Sequence, residues 1–277
     1  MNEGPLSLSE TRDLLARLAH MPRKWLGQNF LVDGNIVRKS LELGEIVSGD
    51  TVVEVGPGLG TLTRTLLGAG VELYAVEADR TMLFHLEESL LPQFPKTFHL
   101  TEGDAVKLPR AGLKDPLDGS FKVIANLPYA ISTPWMDAIC AGPHPSLMVL
   151  MLQREAAERL TADVGTSHWS AVTAQVHLAF EKIKVHPVPA QSFNPPPKVD
   201  SCLLVLRRRI DAKRLSKRAR EVARNFFTQR RKQVGSSAKN LFKGDADVAA
   251  WLAALPNFGL TPLCRPEDVP AEAWLTL

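Results

Sequence analysis

The chain has 277 residues, 45% hydrophobic and 23% charged, a composition that excludes a disordered or fibrous protein and leaves room for one large domain and a smaller one. Three scattered cysteines, Cys140, Cys202 and Cys264, give neither a disulfide framework nor a Cys-x-x-Cys pair, so a reducing, cytoplasmic setting and no metal are expected. The net charge of +3 hides a segregation: between Arg207 and Lys243 fourteen Lys or Arg face two acids, which suggests a basic module for a polyanion or, more blandly, a solvated helix face.

In chain order, residues 1–21 read as an N-terminal extension. Its helix spans Ser7 to His20, with Leu8, Leu14, Leu15 and Leu18 at helical spacing and Ser7-x-x-Glu10 as a capping box. The acids Glu3, Glu10 and Asp13 stand where a secretory signal would be basic and then apolar, and the apolar run Leu147 to Leu152 is too short for a bilayer. Neither secretion nor membrane insertion is expected. The stretch Lys24-Trp25-Leu26-Gly27-Gln28-Asn29-Phe30-Leu31 comes next, followed by a helical pattern through Ile36, Val37, Ser40 and Leu41.

From Thr51 strands and helices alternate. Strands are predicted at Thr51 to Val55, Leu73 to Glu77, Thr97 to Glu102, Phe121 to Ala125 and Leu147 to Leu152; helices fall at Gly60 to Leu67, Thr81 to Leu90, Thr133 to Cys140 and Arg154 to Leu160. Repeated βα units imply an α/β fold with a mostly parallel sheet covered by helices on both faces. A helix-like stretch to Phe180, a strand at Lys182 to Val188, a proline segment and a strand at Cys202 to Leu206 complete a catalytic domain over 22–207. After it the pattern changes to amphipathic helix, with Leu215, Ala219, Val222 and Phe226 on one face, and 208–277 is read as a small helical domain.

Val52-Val53-Glu54-Val55 followed by Gly56-x-Gly58-x-Gly60 is a strand, a tight loop and a helix start, where missing side chains let backbone approach a ligand. Glu77 ends the second strand about where such folds bind ribose hydroxyls. The spacing is not that of dinucleotide folds and there is no P-loop lysine, so S-adenosylmethionine is the favoured ligand in a Rossmann-like domain, with a plain glycine turn as the alternative. Asp104 after the third strand suits an adenine amine, although a lone Asp is more often a cap.

Asn126-Leu127-Pro128-Tyr129 follows the next strand. An amide oxygen and a backbone carbonyl can accept the two hydrogens of an amine on a flat base, Pro stiffens the turn, and Tyr129 offers a stacking face; alone, the tetrapeptide also reads as an ordinary turn. Phe193-Asn194-Pro195-Pro196-Pro197 is either a stiff linker or a device that sets Phe193 opposite Tyr129 around a flipped base. Phe226-Phe227-Thr228-Gln229-Arg230-Arg231-Lys232 combines aromatics with cations, as nucleic-acid surfaces do.

Taken in order, Gly27-Gln28-Asn29-Phe30-Leu31, Glu54-Val55-Gly56-Pro57-Gly58-x-Gly60, Asn126-Leu127-Pro128-Tyr129-x-Ile131-Ser132-Thr133, Met151-Leu152-Gln153-Arg154-Glu155, Phe193-x-Pro195-Pro196-Pro197-Lys198-Val199-Asp200-Ser201, Phe227-x-x-Arg230-Arg231-Lys232 and Arg265-Pro266-Glu267-Asp268 resemble the blocks of the small-subunit (16S) rRNA adenine dimethyltransferases, relatives of the macrolide-resistance rRNA methylases. The resemblance implies that Asn29, Leu31, Gly56, Gly58, Glu77, Asp104 and Asn126 line an S-adenosylmethionine site. It implies that Asn126, Leu127, Pro128, Tyr129 and Phe193 hold the target adenine, and that Arg230, Arg231 and Lys232 contact RNA. The implied reaction is dimethylation of two adjacent adenosines in the 3′-terminal hairpin of the rRNA by a monomer acting on a pre-30S particle. One tract departs from the family: His168-Trp169-Ser170-Ala171-Val172-Thr173 stands where a Tyr-Gly-x-Leu-Ser-like run is usual. Two other classes stay open at this point, a methyltransferase of another RNA, DNA or a protein amide, and an assembly or nucleic-acid-binding factor that retains the fold.

Overall fold

The computed structural model describes residues 4–23 and 27–277. Glu3 and the Lys24-Trp25-Leu26 part of the first block lie outside the described residues. Two compact units result, one of 1–139, 143–157 and 182–208, the other of 140–142, 158–181 and 209–277.

The first unit opens with α1 (Leu8–Arg17), whose Ser7 and Glu10 form the expected reciprocal capping box. It continues through β1 (Phe30–Leu31), α2 (Gly34–Leu43), β2 (Thr51–Val55), α3 (Thr61–Gly68), β3 (Glu72–Glu77), α4 (Arg80–Ser89), β4 (Phe98–Glu102), β5 (Lys122–Asn126), α5 (Ser132–Ile139) and β6 (Leu147–Gln153). In chain order α6 (Arg154–Leu160) and α7 (Ala171–Ala179) come next, the end of α6 and all of α7 grouping with the second unit, and then β7 (Phe180–Val188), β8 (Phe193–Asn194) and β9 (Ser201–Arg208).

Among the described residues seven strands form one sheet in the order β4-β3-β2-β5-β6-β9-β7. The first five are parallel and β9 runs antiparallel to β6. Parallel strands are shielded on both faces, which is why β2 and β6 read as almost unbroken apolar runs and bury nearly every residue. The order reverses at β2, so the carboxyl ends of β2, β3, β4 and β5 open on one edge, the place where such sheets bind ligands. A separate two-residue pair, Phe30↔Asn194 and Leu31↔Phe193, joins β1 to β8.

The second unit adds α8 (Lys217–Thr228), α9 (Val234–Leu241) and α10 (Ala246–Ala254). Its core is aromatic: Trp251 and Trp274 stack at 4.8 Å with Phe226 beside them, and the Trp251 indole N–H donates to Ala273 O at 2.8 Å. The segment 158–181, expected within the catalytic domain, groups here instead. The cause is Trp169, which is 1% exposed, clusters with Leu178, Leu215 and Phe226, and donates to Val269 O at 3.0 Å. The tract that departs from the family therefore carries a core residue of this unit. Among the described residues no helix is long and apolar enough to cross a membrane.

Candidate active site

The four strand ends converge on a cavity of about 280 Å³ in the first unit. Asn29, Leu31, Gly56, Gly58, Glu77, Asp104 and the whole Asn126-Leu127-Pro128-Tyr129 turn line it. Two glycines show why the loop after β2 needs them. Gly56 and Gly58 have φ of 66° and 57°, left-handed values that L side chains rarely adopt. A Cβ on Gly56 would come 3.3 Å from the Pro128 ring, and one on Gly58 3.2 Å from Phe30.

Glu77 is 7% exposed and anchored by three backbone donors: one carboxylate oxygen accepts from Gly58 N–H at 2.9 Å, the other from the N–H groups of Ala78 and Asp79, each at 2.9 Å. Burial pushes its carboxyl above the ordinary carboxylate range, and the three backbone donors oppose that shift. Asp104 is exposed, and one of its oxygens accepts from Val106 N–H at 2.9 Å.

Glu54, inside the glycine motif but assigned no role on sequence grounds, also lines the cavity. It is 2% exposed, its Oε2 has no partner at hydrogen-bond geometry, and burial pushes its carboxyl up to about 8, with the neighbouring Thr63 hydroxyl opposing and the Glu77 carboxylate adding to it. The signal for it was a lone acid in an otherwise apolar buried strand. An open glycine cradle beside an acid at a strand end suits a ribose. These residues fit the sulfonium cofactor.

At the other end of the cavity Asn126 closes β5 and donates through Nδ2 to Asn29 O at 3.2 Å, which leaves its Oδ1 as an acceptor. Pro128 O accepts from Ile131 N–H, and Tyr129 O from the Ser132 hydroxyl. The Tyr129 hydroxyl shares a 2.7 Å hydrogen bond with Ser201, which is 1% exposed at the start of β9. Burial raises the Tyr129 phenol above its ordinary range, with the Ser201 bond opposing.

Phe193 is not brought to the cavity. Its pairing with Leu31 draws the ring into the aliphatic core, 2% exposed, so it offers no open face opposite Tyr129. Of the basic triplet, Arg230 is bound by two donors to Glu267 Oε2, at 3.2 and 2.7 Å, within the second unit. Arg231 and Lys232 are exposed. Among the described residues no group of three His, Cys, Asp or Glu could hold a metal ion.

A family model described as ribosomal RNA adenine dimethylase matches residues 19–254. The chain is 50% identical over 273 residues, 99% of it and 98% of the relative, to ribosomal RNA small subunit methyltransferase A of Opitutus terrae. It is 34% identical to the protein of that name from Lactobacillus helveticus, covering 98% and 95% of the two chains. Among solved structures it superposes on a dimethyladenosine transferase from Plasmodium falciparum with a TM-score of 0.69 and 27% identity, covering 89% of this chain and 95% of that one. With the 23S rRNA methyltransferase ErmE the TM-score is 0.61 at 26% identity, over 90% and 97% of the two chains. The fold is thus that of the Rossmann-like methyltransferases, and the chain belongs to the ribosomal RNA adenine dimethylase family.

Proposed function

We propose that this protein transfers methyl groups from S-adenosylmethionine to the exocyclic amines of two adjacent adenosines in the 3′-terminal hairpin of 16S rRNA. The observation that carries the reading is the meeting of an anchored acid, an open glycine cradle and an amine-accepting turn on one cavity. Asn29, Leu31, Gly56, Gly58, Glu77, Asp104 and Asn126 would hold the cofactor, with Glu77 toward ribose hydroxyls and Asp104 toward the adenine amine. The cofactor supplies an electrophilic methyl group on a sulfonium.

Asn126 Oδ1 and the Leu127 carbonyl accept the two N–H bonds of the target amine, which turns the nitrogen lone pair to the methyl carbon. As the N–C bond forms and the C–S bond breaks, the nitrogen becomes cationic and acidic. Its proton then leaves to water, so no strong general base is required and the rate rests on orientation. Pro128 stiffens the turn, and Tyr129, fixed by Ser201, provides one stacking wall. Phe193 can supply the second wall only by leaving its core position. Arg231 and Lys232 are available to phosphates, whereas Arg230 acts through its bridge to Glu267. The acceptor is a pre-30S particle, met in the cytoplasm by a monomer.

The test is methyl transfer from labelled S-adenosylmethionine to purified small subunits lacking the modification, followed by nucleoside analysis. Dimethyladenosine at two adjacent 3′-end positions is expected. Absence of transfer despite cofactor binding would shift the reading to an assembly role or to another acceptor.

A further inference from the structure

The N-terminal segment plays no part in the chemistry above, yet it is joined to the cofactor loop in two independent ways. Leu14 and Leu15 of α1 share an apolar cluster with Phe30 and Leu59. Leu59 belongs to the glycine loop, and the Phe30 ring is what a side chain at Gly58 would strike. The helix then ends in a left-handed residue, Ala19 at φ 46°, and His20 N–H donates back to Leu15 O at 3.0 Å. This turn puts His20 inside, 7% exposed.

His20 begins a hydrogen-bonded chain. The Gln28 side-chain oxygen, which can only accept, takes Arg23 N–H at 2.8 Å and His20 Nε2 at 2.9 Å, so His20 carries its proton on Nε2. Gln28 Nε2 donates to Asp79 Oδ2 at 2.9 Å. Asp79 is 1% exposed; its Oδ1 caps α4 through Thr81 N–H, and its own N–H donates to Glu77 Oε1. The segment 4–23 therefore reaches the proposed ribose acid through two side chains and one backbone group.

Resting on the reading that this cavity takes S-adenosylmethionine, we propose that His20 and Asp79 are positioning residues: the N-terminal segment braces Glu77 and the glycine loop and so sets cofactor affinity without touching the methyl acceptor. Such a chain acts on ground-state binding, so it moves Kd and KM for the cofactor and leaves kcat at saturation. Two substitutions break it at different links. His20→Ala removes the donor to Gln28. Asp79→Asn keeps an oxygen to cap α4 but sets an amide donor against the Gln28 donor.

The experiment is calorimetric titration of the full-length protein with S-adenosylmethionine, alongside kcat on undermethylated small subunits at saturating cofactor. Each variant is expected to weaken binding about tenfold, the size of one lost hydrogen bond, with kcat kept within about twofold. His20→Gln, which restores a donor, is expected to recover most of the affinity. Unchanged Kd in folded His20→Ala and Asp79→Asn protein, even with a lowered Tm, would overturn the proposal, as would a His20→Gln variant as weak as His20→Ala. A wild-type protein that binds no cofactor would overturn the cofactor reading and this proposal with it.

Discussion

The two ends of the cavity are built differently. At the Glu77 end the ligand-facing groups are held by backbone: three N–H donors fix the carboxylate, and left-handed glycines shape the loop. At the Asn126 end orientation depends on single side-chain bonds, Asn126 to Asn29 and Tyr129 to Ser201. Backbone donors are part of the fold and do not change with the ligand, whereas one hydroxyl pair or one amide can let go and re-form. A site that holds the same cofactor each time but must accept an amine, and then a methylamine, is served by a rigid end and an adaptable one.

The sharpest test of the adaptable end is Phe193. Phe193→Ala is expected to cost about 3–5 kcal/mol of stability by denaturant titration, as for any large core ring. Phe193→Leu is expected to fold nearly as well as wild type and to keep its turnover if the ring serves only the core. A loss of turnover at unchanged stability would show that Phe193 leaves the core to stack on the base. Asn126→Ala and Glu77→Ala are expected to separate the two ends. The first lowers turnover by roughly 10²- to 10³-fold, the range for a lost transition-state hydrogen-bond group, and depresses it more than it does cofactor affinity; the second chiefly weakens the cofactor and spares turnover at saturation. If both variants shift the same parameter, the division fails.

A smaller effect concerns pH. Glu54 titrates near 8 in the folded protein against an ordinary 4.5, so the folded chain keeps a proton that the unfolded chain releases. Stability is expected to fall as pH rises from about 4.5 to about 8 and then level, by about 1.4 kcal/mol per pH unit at most from this group. Glu77, shifted in the same direction, adds to the slope. Melting curves of Glu54→Gln should lie above wild type near pH 8 and converge near pH 4; parallel curves would remove Glu54 as the cause. Smallest is the RNA contact. Replacing Arg231 and Lys232 together by Ala is expected to weaken RNA binding modestly and reduce the salt slope by about 1.4 to 1.8. Arg230→Ala should instead lower the melting temperature of the second unit, because Glu267 is left without this ion-pair partner.

The parallel strands and their end residues were legible in the sequence because buried parallel strands are continuous apolar runs and ligands sit at their carboxyl ends; Gly56, Glu77, Asp104 and Asn126 meet for that reason. What was not legible was non-local. The β1–β8 pair is two residues long and joins positions some 160 apart, so no periodicity announces it, and it is what buries Phe193. Arg230 looked like a phosphate ligand because nothing local reveals Glu267 as its partner. The helices α9 and α10 escaped notice as well: α10, Ala-Asp-Val-Ala-Ala-Trp-Leu-Ala-Ala, has apolar residues nearly all round and so shows no face.

The sheet is interrupted between β6 and β7 by 158–181, which belongs to the other unit. A gene cut after Arg208 would therefore not encode a smaller self-sufficient domain: it would strand Trp169 and Leu178 without Leu215 and Phe226. During synthesis the second unit is likewise begun before the sheet is finished and completed only after β9 has emerged. The order of the chain thus makes the two units depend on each other for expression, so neither can be exchanged with a homologous domain by a single crossover.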